Sequence, residues 1–439
     1  MNKRCKMARN ISVLFPGQGS QYNGMGKDFY YSYPVVREIF DEVSKIVDFN
    51  IQNSIFEEDQ QTLTYEQLFI NILTLQYSSF HAFLDCYDRT PSYLLGHSLG
   101  EISALACSGA LKLNDAIEIV RKRGQLMGSK VVPSGKMVAI MGCDMKILND
   151  ICEKISSENH DIVEIANWNS EEQVIISGGV EVVDLVLKTI ETQKLGMSMK
   201  LNIKRPFHTK KMKVIQNDFY EFCRKFTYKK CSIPVISNVT GRPYEDFRLA
   251  EYLSEQLVNS VRWTQSVEFV AQAHSDLLVE MPPQTVLRNL LLTNKYGMET
   301  YSFDNKLDRE ELDDILVPIS HYSKLSTEAR FNFMSRCLVV AVATKNKIVI
   351  SDEKYQLEEK EYKFIQQQLI YHEENELVPP NDLMRIILKS LIRILSIKGL
   401  NEKEIDHKIK ELLIETGTFY YFNKIIRRRK DDRKRNEDI

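Results

Sequence analysis

The run Leu94-Leu95-Gly96-His97-Ser98-Leu99-Gly100-Glu101 constrains this chain more than any other stretch. It has the G-x-S-x-G form, in which a short apolar strand (Tyr93 to Leu95) turns sharply into a helix (Leu99 to Cys107) and holds a serine hydroxyl at the apex. Glycine on both sides permits the tight turn and lets a ligand approach, and the helix N-terminus behind Ser98 offers backbone N–H groups to a developing oxyanion. Ser98 is therefore a candidate nucleophile. Around this run apolar strands alternate with helical periodicity: Ile11 to Phe15 reads as strand, Val35 to Val47 and Glu66 to Tyr87 as helices. That alternation predicts an α/β layer with a parallel sheet.

With 439 residues, 43% of them hydrophobic, the chain can bury two or three substantial cores. Its 58 basic and 60 acidic residues leave a formal charge of −2, which argues against nucleic acid or an anionic membrane as partner. The eight cysteines are scattered without C-x-x-C spacing, as expected of free thiols in a reducing cytosol rather than of a disulfide framework or zinc site. No apolar run reaches the roughly 18 to 20 residues that span a bilayer, and Met1 to Asn10 lacks a signal-peptide apolar region. A cytoplasmic location is expected.

Further candidates flank the serine. The β-strand at Ile11 runs into Pro16-Gly17-Gln18-Gly19-Ser20-Gln21, a glycine-rich loop that serves either as a connecting turn or to bring N–H groups close to a ligand. In the helix predicted over Asn114 to Met127, Arg123 falls on the apolar stripe of Ala116, Ile119, Val120 and Met127. Such an arginine must snorkel to water or meet an anion, and Gly124 beside it points to close packing. From Lys136 to Ile203 the pattern is β-α-β-β-α-β, the ferredoxin-like order. Asn167-Trp168-Asn169-Ser170 sits between its middle strands, where a turn is expected, and Pro206-Phe207-His208-Thr209 follows its last strand, at a domain junction where clefts form.

Taken in order, PGQGSQ, GHSLGE, RKRGQLM, NWNS, PFHT, SNVTG, VRWTQSVEF and EMPPQTVL resemble the malonyl-CoA:acyl-carrier-protein transacylase family over residues 11 to 305. The resemblance implies an α/β-hydrolase-like large domain (1–133 and 206–305) with an inserted ferredoxin-like small domain (134–205). It further implies Ser98 as nucleophile, His208 as its base, and backbone N–H groups of Gln18 and Leu99 as the oxyanion hole. His97, Asn167 and Phe207 would line the site, with the Phe207 ring disfavouring an α-methyl branch, and Arg123 would pair with the malonyl carboxylate. A backbone carbonyl, not a carboxylate, would orient the imidazole, from the loop around Pro283 and Gln284, where Pro282-Pro283-Gln284 replaces the family's Gly-Pro-Gly. The implied partners are a coenzyme A thioester, here malonyl-CoA, and an acyl carrier protein that brings its own phosphopantetheine; no bound cofactor or metal is expected.

Residues 306–439 extend beyond that resemblance. The stretch Arg336-Cys337-Leu338 to Asn346 is similar to extensions of discrete acyltransferases of trans-acting polyketide synthases, which adds synthase modules as partners. A mainly helical extension over 306–423 is expected, with helices at Asp382 to Leu395 and Lys403 to Thr416, followed by a basic, disordered tail over 424–439. Two other functions use the same residues: a proofreading hydrolase that passes the acyl group to water, and a non-catalytic docking protein of a synthase. An intact serine, histidine and arginine together argue against the latter.

Overall fold

The computed structural model describes residues 9–87, 89–245, 248–292, 295–316, 326–418 and 422, and within them nine strands: β1 (Ile11–Phe15), β2 (Tyr93–Gly96), β3 (Lys136–Met141), β4 (Val163–Trp168), β5 (Gln173–Gly178), β6 (Met197–Lys200), β7 (Val235–Ile236), β8 (Leu277–Glu280) and β9 (Glu299–Ser302). All five residues of β1 and all four of β8 are buried, as strands of a parallel sheet covered on both faces must be. The sheet has the order β7-β2-β1-β8-β9, and each of its pairings is parallel. Its register sets Phe15 beside Gly96, so the loop after β1 and the turn after β2 leave the same edge side by side. That is the edge of a parallel sheet at which ligand sites form.

The other sheet is antiparallel, with order β4-β5-β3-β6. Together with helices Met145–Asn159 and Val180–Gln193 it follows the β-α-β-β-α-β order. Val138, Ile140, Val163, Ile165, Val174 and Ile176 pack on these helices through Leu148, Cys152, Val183 and Val186. Asp144 caps the first helix by accepting from the N–H groups of Lys146 and Ile147.

The chain divides into two compact units, Met1–Gly26 with Glu38–Val317, and Lys27–Arg37 with Pro318–Ile439. The first therefore runs past the boundary at 305 read from the sequence. Helix Lys306–Leu316 is held there because the Asp308 carboxylate takes the Ser302 N–H at 2.7 Å and pairs with Arg288 at 2.6 Å, while Tyr87 Oη donates to Asp313 at 3.0 Å. The second unit is helical, with Lys27–Ser32, Thr327–Ala343, Asp352–Glu374, Asn381–Ile397 and Glu402–Glu415. Phe333, Met334, Cys337, Ile365, Leu391 and Leu412 are among its core residues. Asn401 and Glu404 close a reciprocal capping box at the start of its last helix. Asp352–Glu374 had no clear sequence signal because it is polar nearly all round, with only Ile365 and His372 buried. The basic segment 424–439 lies outside the described residues.

Gly124 lies in helix Leu113–Gly128 where that helix crosses the start of helix Tyr65–Tyr87. A Cβ there would sit 2.6 Å from the Glu66 backbone nitrogen and 2.8 Å from the Tyr65 carbonyl carbon. Gly124→Ala is therefore expected to lower stability by about 1–3 kcal/mol despite alanine's better helix propensity. Denaturant unfolding checks this, and a stabilised variant would refute the close approach.

Candidate active site

Ser98 stands at φ 52°, ψ −105°, between β2 and helix Leu99–Cys107. A non-glycine residue keeps such a backbone only when its surroundings hold it. Asn238, just beyond β7, does so with both ends of its side chain: Oδ1 accepts the Ser98 N–H at 2.7 Å and Nδ2 donates to the Gly96 carbonyl at 2.6 Å. The Gln256 side-chain amide donates to the Ser98 carbonyl at 2.9 Å. From below, Gly100 lets the turn press onto β1, since a Cβ there would lie 2.1 Å from the Phe15 carbonyl oxygen.

His208 Nε2 lies 2.7 Å from Ser98 Oγ, and His208 Nδ1 lies 2.8 Å from the Gln256 carbonyl oxygen. A carbonyl can only accept, so Nδ1 carries the proton and Nε2 is left to accept from the serine hydroxyl. Gln256 is in the last turn of helix Leu249–Val258, where carbonyls have no partner within the helix. The orienting carbonyl thus comes from Gln256 and not from the loop at Pro283 and Gln284. There the Gln284 N–H is engaged by the Asp304 carboxylate at 2.6 Å. Burial, reinforced by the nearby Arg123 charge, pushes the His208 imidazole down to about 3.

Arg123 is 1% exposed and its Nη2 donates to Ser98 Oγ at 2.9 Å; Nε meets Met127 Sδ at 3.4 Å. Among the described residues no carboxylate lies within 4.0 Å of this guanidinium. Burial pulls it down to about 10, while the more distant Glu101 charge supports it. Glu101 is itself fully buried and accepts from the Asn238 N–H and the Tyr244 hydroxyl, both at 2.7 Å, and from the Gln256 side-chain amide. Burial pushes its carboxyl up to about 7 against the pull of these donors.

The structure thus joins Ser98, His208 and Arg123 by direct contacts. Leu99 opens the helix after Ser98, where N–H groups lack intrahelical acceptors. Gln18 sits in the loop after β1, which is fixed beside the turn: a Cβ on Gly17 would lie 2.7 Å from the His97 carbonyl oxygen, and Gln76 Nε2 donates to the Pro16 carbonyl at 2.6 Å. Phe207 is buried, edge-on to Tyr65 with ring centres 5.8 Å apart. His97 meets Asn169, at 3.0 Å, and Asn167 does not lie in the expected turn. Asn167 is a strand residue instead, opposite Ile175 and bridged to Val261, because β4 runs on to Trp168 before the turn. Sequence reasoning gave no role to Asn238, Gln256 or Glu101. Their signal was a polar residue at a fully buried position, which is visible only once burial is known. Among the described residues no group of three or more His, Cys, Asp or Glu could hold a metal ion, and no helix is long and apolar enough to cross a membrane.

Residues 13–311 match the family model described as an acyl transferase domain. The chain belongs to the acyl transferase domain family. This acyl transferase is 32% identical over 311 residues to a malonyl CoA-acyl carrier protein transacylase of Bacillus subtilis, covering 70% of this chain and 76% of that protein. The crystal structure of FabD from Acinetobacter baumannii matches with TM-score 0.67 at 31% identity, covering 71% of this chain and 99% of that one. A malonyl-transacylase solved with a type II PKS acyl-carrier protein matches with TM-score 0.65 at 28% identity, over 68% of this chain and 97% of that one.

Asn238→Ala in this acyl transferase removes the partners of the Ser98 N–H and the Gly96 carbonyl together. Each buried group left unpaired costs about 1–3 kcal/mol. A clear loss in the denaturant midpoint is expected, and an unchanged midpoint would show that the side chain does not brace the turn.

Proposed function

We propose that the protein takes a malonyl group from malonyl-CoA onto Ser98 and passes it to the phosphopantetheine thiol of an acyl carrier protein. The observation that carries this reading is Arg123, a buried guanidinium 2.9 Å from the serine oxygen with no carboxylate within salt-bridge distance among the described residues. A buried cation without a counter-ion is costly, and an acyl group ending in a carboxylate would supply the counter-ion in a bidentate fork. The names of the relatives support malonyl-CoA as donor and a carrier protein as acceptor.

In this reading His208 Nε2 takes the Ser98 proton as Oγ attacks the thioester carbonyl. The oxyanion forms beside the N–H groups of Gln18 and Leu99, and collapse expels the coenzyme A thiolate, which takes up the proton. The carrier thiol then gives its proton to His208 and attacks the malonyl-serine ester, and Ser98 is regenerated with that proton. Phe207, backed by Tyr65, is the ring that leaves little room for an α-methyl branch. One methyl is worth about 1–3 kcal/mol, so methylmalonyl-CoA is expected to load more slowly.

Intact-protein mass spectrometry after mixing with malonyl-CoA tests this. Ser98→Ala should abolish the adduct, and Arg123→Ala should slow malonyl loading by about 10²-fold, the worth of a charge-assisted contact, while sparing acetyl loading. Added phosphopantetheinylated carrier should collect the label; loss of the label to water instead would put the proofreading hydrolase in place of the transferase.

The pH profile provides a separate check. His208 accepts a proton only when neutral, and with its value pushed down to about 3 it is neutral throughout the mildly acidic range. In Glu101→Gln, which removes the neighbouring carboxyl that burial pushes up to about 7, loading should therefore be flat from about pH 8 to pH 5, where an ordinary imidazole would have lost about thirtyfold. A fall centred near pH 6.5 would contradict it.

A further inference from the structure

Glu101 is fully buried, and the chemistry above gives it no task. An acid in the first turn of a helix complements the helix dipole, but an exposed side chain would do that without the cost of burial. We propose that Glu101 is a positioning residue, which holds Ser98 and His208 in mutual register through Asn238 and Gln256.

The argument follows the hydrogen bonds outward from the carboxylate. One oxygen accepts the Asn238 backbone N–H at 2.7 Å, and the side chain of that residue holds the Ser98 N–H and the Gly96 carbonyl at 2.7 and 2.6 Å. The other oxygen accepts the Gln256 side-chain amide, which also reaches the Ser98 carbonyl at 2.9 Å. Gln256 in turn presents its own carbonyl to His208 Nδ1 at 2.8 Å. The N–H and the carbonyl of a serine at positive φ, and the acceptor that aims its base, thus depend on one anion. The Asn238 N–H and the Gln256 amide can only donate, so each carboxyl oxygen accepts a hydrogen bond, and these bonds are charge-assisted in the ionised form. In a Ser-His-Asp triad the acid touches the imidazole directly. Here the acid stands one residue back and acts by fixing the carbonyl that touches it.

The inference rests only on that part of the proposed function in which His208 activates Ser98, so its test uses a reagent that needs no acyl specificity. A fluorophosphonate phosphonylates an activated serine: the Oγ–P bond forms, the P–F bond breaks, fluoride leaves, and the serine proton passes to His208. Ser98→Ala gives the background. In Glu101→Gln the maximal labelling rate should fall about tenfold or more while the half-saturating reagent concentration stays within about threefold, as expected of a misaligned rather than a blocked site. Gln256→Met, which keeps the backbone carbonyl but cuts its tie to Glu101, should show the same fall and serves if the first variant does not fold. The double variant should be little slower than the slower single one, since both cut one linkage. Ser12→Ala breaks a buried 2.7 Å hydrogen bond to Ser275 at the other end of β1 and should cost stability without slowing labelling. Wild-type labelling rates in Glu101→Gln or Gln256→Met, additive losses in the double variant, or a wild-type protein that does not label would overturn the proposal. Malonyl loading on the same samples reports separately: labelling without loading would remove the malonyl reading and leave Glu101 its role.

Discussion

The site depends on keeping one serine in a backbone conformation that it would not choose. At φ 52°, ψ −105° Ser98 stands between the strand before it and the helix behind it; its carbonyl accepts the Glu101 N–H at 3.1 Å, but its own N–H finds no partner in either element. Side chains from elsewhere take that place, Asn238 from the end of β7 and Gln256 from helix Leu249–Val258, while Gly96 and Gly100 clear space for backbone on both sides. The sheet order makes this possible. β7 and β1 flank β2 on either side, all three run in parallel, and the segments that leave β7 and β1 therefore emerge beside the turn.

Burial then acts on every ionisable group around the serine, and in each case it favours the uncharged form: His208 and Arg123 are pushed down and Glu101 up. This suits the role proposed for His208, because a base must be empty to work. It also explains why an uncharged acceptor suits Nδ1 here. A carboxylate in that place would put a second anion near the serine, compete for Arg123, and repel the anionic acyl group proposed for this site. The Gln256 carbonyl fixes the ring and its tautomer without adding charge.

Much of this could be read from the sequence, and the losses have a common cause. Strands and helices were legible where an apolar pattern had one period, as in β1, β2, β3 and the helix carrying Arg123. Ser98, His208 and the buried Arg123 were legible because each broke a pattern or sat in a motif. The turn expected over Asn167 to Ser170 begins later than expected because a strand end next to a turn has no period to count, and β4 carries a bulge between Ile165 and Asn167. The carbonyl that orients His208 could not be read at all: every residue has one, and only the end of a helix in three dimensions makes that of Gln256 available. Helix Asp352–Glu374 escaped because so few of its residues face a core.

The helical unit has a consequence for the order in which the chain can be completed. Residues Lys27–Arg37 belong with it and not with the sheet that precedes and follows them in sequence. Helix Lys27–Ser32 packs on helix Glu402–Glu415, and Gly417 is close enough to Pro34 that a Cβ there would come within 3.0 Å of its ring. During synthesis the contacts of this early segment with helix Glu402–Glu415 must therefore wait until some 370 further residues have emerged, several tens of seconds even at about 10 residues per second. The separation in sequence makes this the highest-order contact described in the unit, and contacts of that kind set folding speed. Removing the far end of the chain would strand a piece of its beginning.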